Sequence, residues 1–129
     1  MKPGYIFVFG SNQAGLHGAG AAKHAARRHG AVRGQGYGPM GTCFGIPTKN
    51  HYIKTLPIGK VEEYITKFLI YAHAHPELEF QVTRVGCGLA EYDDEDIAPM
   101  FRGAPSNCHF DDKWKPYLGE DNVKYWGSY

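Results

Sequence analysis

The chain has 129 residues and a mass of 14.4 kDa, which suits one domain, residues 1–129, with a single core that needs no disulfide or metal to hold it. Hydrophobic residues at 43% and charged residues at 21% exclude a disordered chain. A net charge of +1 supplies no overall field to hold a polyanion, so nucleic-acid binding is not evident from the sequence.

In chain order, Tyr5 to Phe9 is an almost unbroken run of β-branched and aromatic residues that predicts a central strand buried on both faces, ending at Gly10. The stretch Gly10 to Gly20 has four glycines and little periodicity, and Ala21 to His29 is rich in Ala, Lys and Arg, which favour helix, with Gly30 just past its end. Small alanines let that helix lie close to its sheet. Gly30 to Gly41 reads as a glycine-rich mobile loop. Cys43 to Pro47 reads as a second strand closed by Pro47, with a turn at Thr48, Lys49 and Asn50 and a weak hairpin-like return to Leu56.

From Lys60 to His75 the apolar residues Val61, Tyr64, Ile65, Phe68, Leu69 and Ala72 recur at three and four, which predicts an amphipathic helix stopped by Pro76. Phe80 to Val85 then reads as a strand opening into Gly86, Cys87 and Gly88, and Asp93 or Asp94 caps a short helix through Phe101. Cys108 to Phe110 fits an edge strand, with Trp114, Tyr117 and Trp126 as packing aromatics. Strands alternating with helices imply an α/β fold with a mainly parallel sheet covered on both faces.

In such folds ligands bind beyond the carboxyl ends of the strands. Both glycine loops follow strands, so Gly10, Ser11, Asn12, His17, Gly18, Ala19 and Gly20 on one side and Gly86, Cys87, Gly88 and Leu89 on the other are candidate ligand contacts. Their free N–H groups and a helix N-terminus suit a diphosphate. Neither loop has the spacing of a Walker A or dinucleotide motif. Cys87 reads as a small buried thiol, and Tyr37 as a lid over the ligand. The histidines show no metal-ligand spacing, so no metal and no cofactor are expected. The cysteines Cys43, Cys87 and Cys108 form no CxxC pair, which points to a reducing, cytoplasmic setting. No signal-peptide pattern or membrane-length apolar run is seen, so no membrane association is expected.

Three segments in order, GSNQAGLHGAGAA, the IPTK at Ile46 to Lys49, and VGCGLAEYDDEDIAPMF from Val85, together resemble macrodomains. The compact branch that removes ADP-ribose from carboxylate side chains or DNA bases is the nearest in pattern, and uncharacterised bacterial and phage proteins share it. The resemblance implies a single three-layer α/β/α domain with a mainly parallel mixed sheet, and an ADP-ribose-like small molecule or an ADP-ribosylated macromolecule as partner. It places Asn12 at the distal ribose, Gly18 and Gly20 at the phosphates, and Lys49 at the anomeric carbon, where a neutral amine is nucleophilic. That branch has an acid directly after GCGL, where this chain has Ala90. Glu91 takes the general acid/base role if the loop is shifted by one, and otherwise is a surface carboxylate. The leading strand whose acidic residue recognises adenine has no counterpart. Two functions follow: a hydrolase that cleaves at the distal ribose, or a non-catalytic reader that sequesters an ADP-ribose-like signal. A purely structural role is the third.

Overall fold

The structure is a computed structural model and describes residues 4–128. Its first strand, β1 (Tyr5–Asn12), runs two residues past the expected end at Gly10, because it keeps pairing with a parallel neighbour as far as Asn12. Side chains alternate along it, so Phe7 and Phe9 enter one buried cluster and Val8 another. Helix α1 (Gly20–Arg28) lies on the first of these faces with Ala22 and Ala25 buried. Gly30 follows its end at φ +77°.

The glycine-rich stretch after α1 contains β2 (Gly38–Met40), an antiparallel edge strand on β3 (Cys43–Lys49). Pro47 does not close β3, which continues through Thr48 and Lys49. It is tolerated because β2 pairs only Cys43 to Gly45, so at Pro47 the strand has a neighbour on one side alone. The turn falls instead at residues 50–54, where Asn50 Oδ1 accepts from the backbone N–H of Tyr52 at 2.8 Å and of Lys54 at 3.1 Å.

Helix α2 (Ile58–Ala74) buries Val61, Ile65, Phe68 and Ala72 against the second face of the sheet. Strand β4 (Glu79–Val82) is shorter than expected and leads into the second glycine loop. Helix α3 (Asp94–Ile97) tightens into a 3₁₀ turn over Ala98–Phe101. Neither Asp93 nor Asp94 caps it with a side chain: Asp93 holds the cap position without a side-chain bond, and the Asp94 carboxylate is taken by Arg84 and Trp114. Strand β5 (Cys108–Asp111) is not an edge. After a 3₁₀ turn at Asp112–Trp114 and the one-turn helix α4 (Lys115–Leu118), β6 (Lys124–Gly127) pairs with its outer side. Trp114 is fully buried, and Trp126 donates its indole N–H to the Val82 carbonyl at 2.8 Å.

The sheet order is β2-β3-β1-β4-β5-β6, and every pairing but β2–β3 is parallel. The chain moves from β1 to β3 through α1, then crosses back through α2 to β4 on the other side of β1. The strand order therefore reverses direction around β1, and the carboxyl ends of β1, β3, β4 and β5 lie together. No helix among the described residues is long and apolar enough to cross a membrane.

Candidate functional site

A cleft of about 590 Å³ opens at those carboxyl ends, within the ~300–1,000 Å³ typical of small-molecule sites. Strand β1 contributes Gly10 to Asn12, β3 contributes Thr48 and Lys49, the residues after β4 contribute Thr83 and Arg84, and β5 contributes Asp111. The two glycine loops form opposite walls.

The first wall is braced from inside. The Asn12 side chain is 7% exposed; its amide donates to the Leu16 carbonyl at 2.7 Å and its Oδ1 accepts from Leu16 N–H at 3.0 Å. From behind, the chain around Gly36 presses on the strand end: Ser11 Oγ donates to the Gly36 carbonyl, and a Cβ on Gly36 would stand 2.0 Å from the Asn12 carbonyl. The loop then delivers α1 with its first turn, Gly20 to Ala22, lining the cleft. Ala19 at the cap position offers no side-chain acceptor, and the first turn has no acidic residue. The unpaired N–H groups and the positive end of the helix dipole thus face the cleft without an internal partner.

The second wall is the turn at residues 86–91. Tyr92 N–H donates to the Gly86 carbonyl at 2.8 Å and Glu91 N–H to that of Gly88 at 2.9 Å, while the Tyr92 hydroxyl anchors the turn to the Leu56 carbonyl. Leu89 reaches back across the cleft: a Cβ on Gly20 would lie 3.1 Å from Leu89 Cδ1. Gly18 and Gly88 are informative by contrast. Neither has positive φ, and a Cβ on either would meet nothing within 4 Å. The protein itself does not require glycine there, so the bare backbone leaves room for something that approaches from the cleft.

Lys49 lines the cleft at the end of β3, half-buried, and makes no hydrogen bond or ion pair through its ammonium among the described residues. Glu91 does not line it; this residue is exposed at φ +65°, and buried Ala90 takes the place on the wall. Asp111, which is buried, is the one carboxylate in the lining among the described residues, and its Oδ1 accepts from Lys113 N–H at 2.9 Å.

Arg84 pairs with Asp94 through two bonds, Nε to Oδ1 at 2.8 Å and Nη2 to Oδ2 at 2.5 Å, and Trp114 Nε1 donates to Oδ1 at 2.8 Å. The Arg84 hydrogen bond holds the Asp94 carboxyl below the usual carboxylate range. Burial, reinforced by that carboxylate, pushes the Cys87 thiol up to about 12, so Cys87 lines the cleft as an un-ionised thiol. Arg84, Asp111, Lys113 and Ile53 line the cleft without having been singled out in the sequence. Arg84 directly precedes the GCG turn and was within reach of sequence reasoning; Asp111 needed the position of β5.

Two expected contacts lie elsewhere. His17 turns its ring away from the cleft, where Nε2 donates to the Val32 and Gln35 carbonyls at 2.9 and 3.1 Å, and its ring edge packs on Phe9. Tyr37 packs on Phe44 and Tyr64 in the α2-side core, with the Lys67 ammonium over its ring, and does not line the cleft. No group of three His, Cys, Asp or Glu able to hold a metal occurs among the described residues.

No family model and no curated protein sequence matches the chain. Among solved structures it is similar to the macrodomain of Mycobacterium tuberculosis DarG, with 13% identity and a TM-score of 0.60 over 98% of this chain and 90% of that one. At that identity the likeness speaks to the fold alone. The chain has a macrodomain-like fold, three α/β/α layers built on a mainly parallel, mixed sheet of six strands.

Proposed function

We propose that the cleft binds ADP-ribose or a closely related nucleotide, with residues 1–129 forming one domain around it. The observation that carries this reading is the uncapped first turn of α1 facing a second glycine turn across one cleft, with Gly18 and Gly88 leaving open backbone between them. A diphosphate supplies the charge and the many acceptors that such walls lack. Asn12, whose amide is already committed to Leu16, shapes the loop and offers its remaining donor and acceptor capacity to a ribose. Lys113 adds positive charge at the β5 side, whereas the charge of Arg84 is matched by Asp94 and leaves that residue as a braced donor wall at the end of β4.

Calorimetric titration with ADP-ribose tests the reading, with affinity expected on the order of micromolar. The sharper variant is Gly18→Glu rather than Gly20→Glu, because Gly20 sits at φ +58° and any side chain there is strained as well. Loss of binding in a folded Gly18→Glu protein supports the phosphate cradle, and retained affinity removes it.

Turnover is a second reading, favoured by Lys49. Attack by its amine nitrogen, after loss of a proton, forms a bond to the anomeric carbon of the distal ribose as the bond to the linked carboxylate or base breaks and that group leaves; water then displaces the lysine and ADP-ribose is released. Ala90 on the wall and Glu91 turned outward favour binding without turnover. Mass spectrometry of ADP-ribosylated protein and DNA incubated with the protein decides between them. Released ADP-ribose that disappears with Lys49→Ala makes it a hydrolase; no release makes it a reader.

A further inference from the structure

The net charge of +1 conceals a segregation. Residues 1–61 contain eight of the fourteen Lys and Arg and none of the thirteen Asp and Glu, all of which lie from Glu62 onward. Folding sets the two signs on opposite sides of the sheet. Helix α1 lies on the Phe7 and Phe9 face, buries Ala22 and Ala25 against it, and exposes Lys23, Arg27 and Arg28. The chain then runs back along the helix: Ala31 N–H donates to the Ala25 carbonyl at 3.2 Å and Gly34 N–H to the Gly15 carbonyl at 2.9 Å, which lays exposed Arg33 beside α1.

The other side of the sheet carries the anions. Helix α3 buries Ile97 in the α2-side core and leaves Asp93, Glu95 and Asp96 exposed, while Asp94 among them is matched by Arg84. No ion pair involves the four cations or these three anions among the described residues, and the sheet between them keeps the two sets apart within one molecule. Each set also repels itself: Lys23 and Arg27 stand at i,i+4, and Asp93 and Asp96 at i,i+3. A solvated helix face mixes signs instead, as α2 does with Lys60 and Glu63 at 3.2 Å. A net charge near zero leaves no long-range repulsion between copies of the chain, while the segregation draws the basic side of one toward the acidic side of the next.

We propose that a second copy of this chain docks on α1, its Asp93, Glu95 and Asp96 set against Arg27, Arg28 and Arg33. A foreign acidic segment would match α1 but leave the acidic side unmatched; the chain itself answers both. Because the two surfaces lie on opposite sides of the sheet, the contact is head-to-tail. A pair still offers one free surface of each sign, so association extends as concentration rises. Exposed ion pairs contribute little singly, and the contact therefore forms and parts readily and weakens with salt. The surface goes beyond the nucleotide-binding reading and stands on different residues, since none of these six side chains lines the cleft.

Sedimentation equilibrium of the full chain over a series of protein concentrations tests it. At about 0.01 M salt, where charges act over ~30 Å, the mean mass should climb above 14.4 kDa as concentration rises, and at about 1 M salt, where the range is ~3 Å, it should return to that value. The Arg27→Glu/Arg28→Glu and Glu95→Lys/Asp96→Lys variants should each stay at 14.4 kDa at low salt. Mixed in equal amounts they should associate again, since each keeps the surface the other has lost and the two reversed surfaces match in their turn. Association that persists in either variant or at high salt, or a mixture that stays monomeric, overturns the proposal. So does a wild type that stays monomeric at low salt, and if that protein binds polyglutamate, α1 serves a foreign acidic partner instead. Both variants should keep the wild-type response to ADP-ribose, and its absence in the wild type would count against the cleft reading alone.

Discussion

Helices α1 and α2 cover opposite faces of one sheet and are built on different plans. Helix α2 has 17 residues, buries Val61, Ile65 and Phe68, and pairs its surface charge: Lys60 bridges Glu63 at 3.2 Å, and Lys67 sits over the rings of Tyr37 and Tyr64. Helix α1 has 9 residues, buries only alanines, and leaves every charge on it of one sign. A helix of that length gains little from its own hydrogen bonds, so α1 holds its place through close approach to β1 and through the loops at its two ends. The difference teaches where function constrains the fold. Helix α2 contributes the core, whereas α1 gives up buried area and charge balance to bring its bare N-terminus to the strand ends.

Two glycines put that contrast to its severest trial. Gly18 precedes α1 and Gly59 lies in the first turn of α2, and a Cβ on either would meet nothing within 4 Å. Gly18→Glu should lower ADP-ribose affinity by roughly a hundredfold or more, since a carboxylate then occupies the space and repels the diphosphate. Gly59→Glu should leave affinity unchanged and raise stability by about 1 kcal/mol, because glutamate favours helix over glycine and its charge complements an N-terminus. Calorimetry and thermal unfolding of both variants read the two effects. Equal loss of affinity in both would mean that α1 has no special part in binding.

The paired charges of the α2 side yield a prediction of intermediate size. Asp94 has its carboxyl depressed chiefly by the hydrogen bond from Arg84, with Trp114 adding a second donor. A group whose folded value lies below its unfolded one stabilises the fold fully above the unfolded value, here 3.8, and loses that contribution as pH falls through the lowered folded value. Asp94→Asn should therefore cost about 2 kcal/mol near neutral pH, given side chains only 21% and 29% exposed in the pair. The gap between variant and wild type should narrow in acid, in denaturant titrations repeated down to about pH 2. A gap that stays constant with pH would mean that the carboxylate's charge contributes nothing.

The same contrast marks what could be read in advance. The three-and-four spacing from Val61 to Ala72 sets α2 directly, and the β-branched run of β1 needs burial on both faces. Strand β2 was hidden because Gly38, Pro39 and Met40 carry no strand preference and pair only because β3 lies alongside. Pro47 signals a strand end in the sequence, and only the sheet order, which leaves it a neighbour on one side alone, shows that β3 passes through it. Asp94 looked like a cap until Arg84, ten residues earlier, was brought to it. At the site, the glycine loops were visible as composition, and they do meet at one cleft. Asp111 and Lys113 were not visible, because the end of β5 matters only once β5 is known to lie beside β4.

Lys23 offers the finest test of the idea that α1 trades stability for a cationic face. It stands one turn before Arg27 and close to the N-terminus of the helix. Lys23→Glu would replace a repulsive i,i+4 pair by an attractive one in the favoured order, acid before base, and would set a negative charge at the positive end of the dipole. Stability should rise by about 0.5 kcal/mol, a shift of roughly 3 °C in the unfolding midpoint for a domain of this size. The same change should weaken ADP-ribose binding several-fold at low salt, since an anion replaces a cation beside the helix end that faces the proposed diphosphate. Opposite signs in the two measurements are what a helix shaped by its partner predicts. If stability and binding both fall, Lys23 is there for the fold, and the unbalanced charge of α1 has no bearing on what it meets.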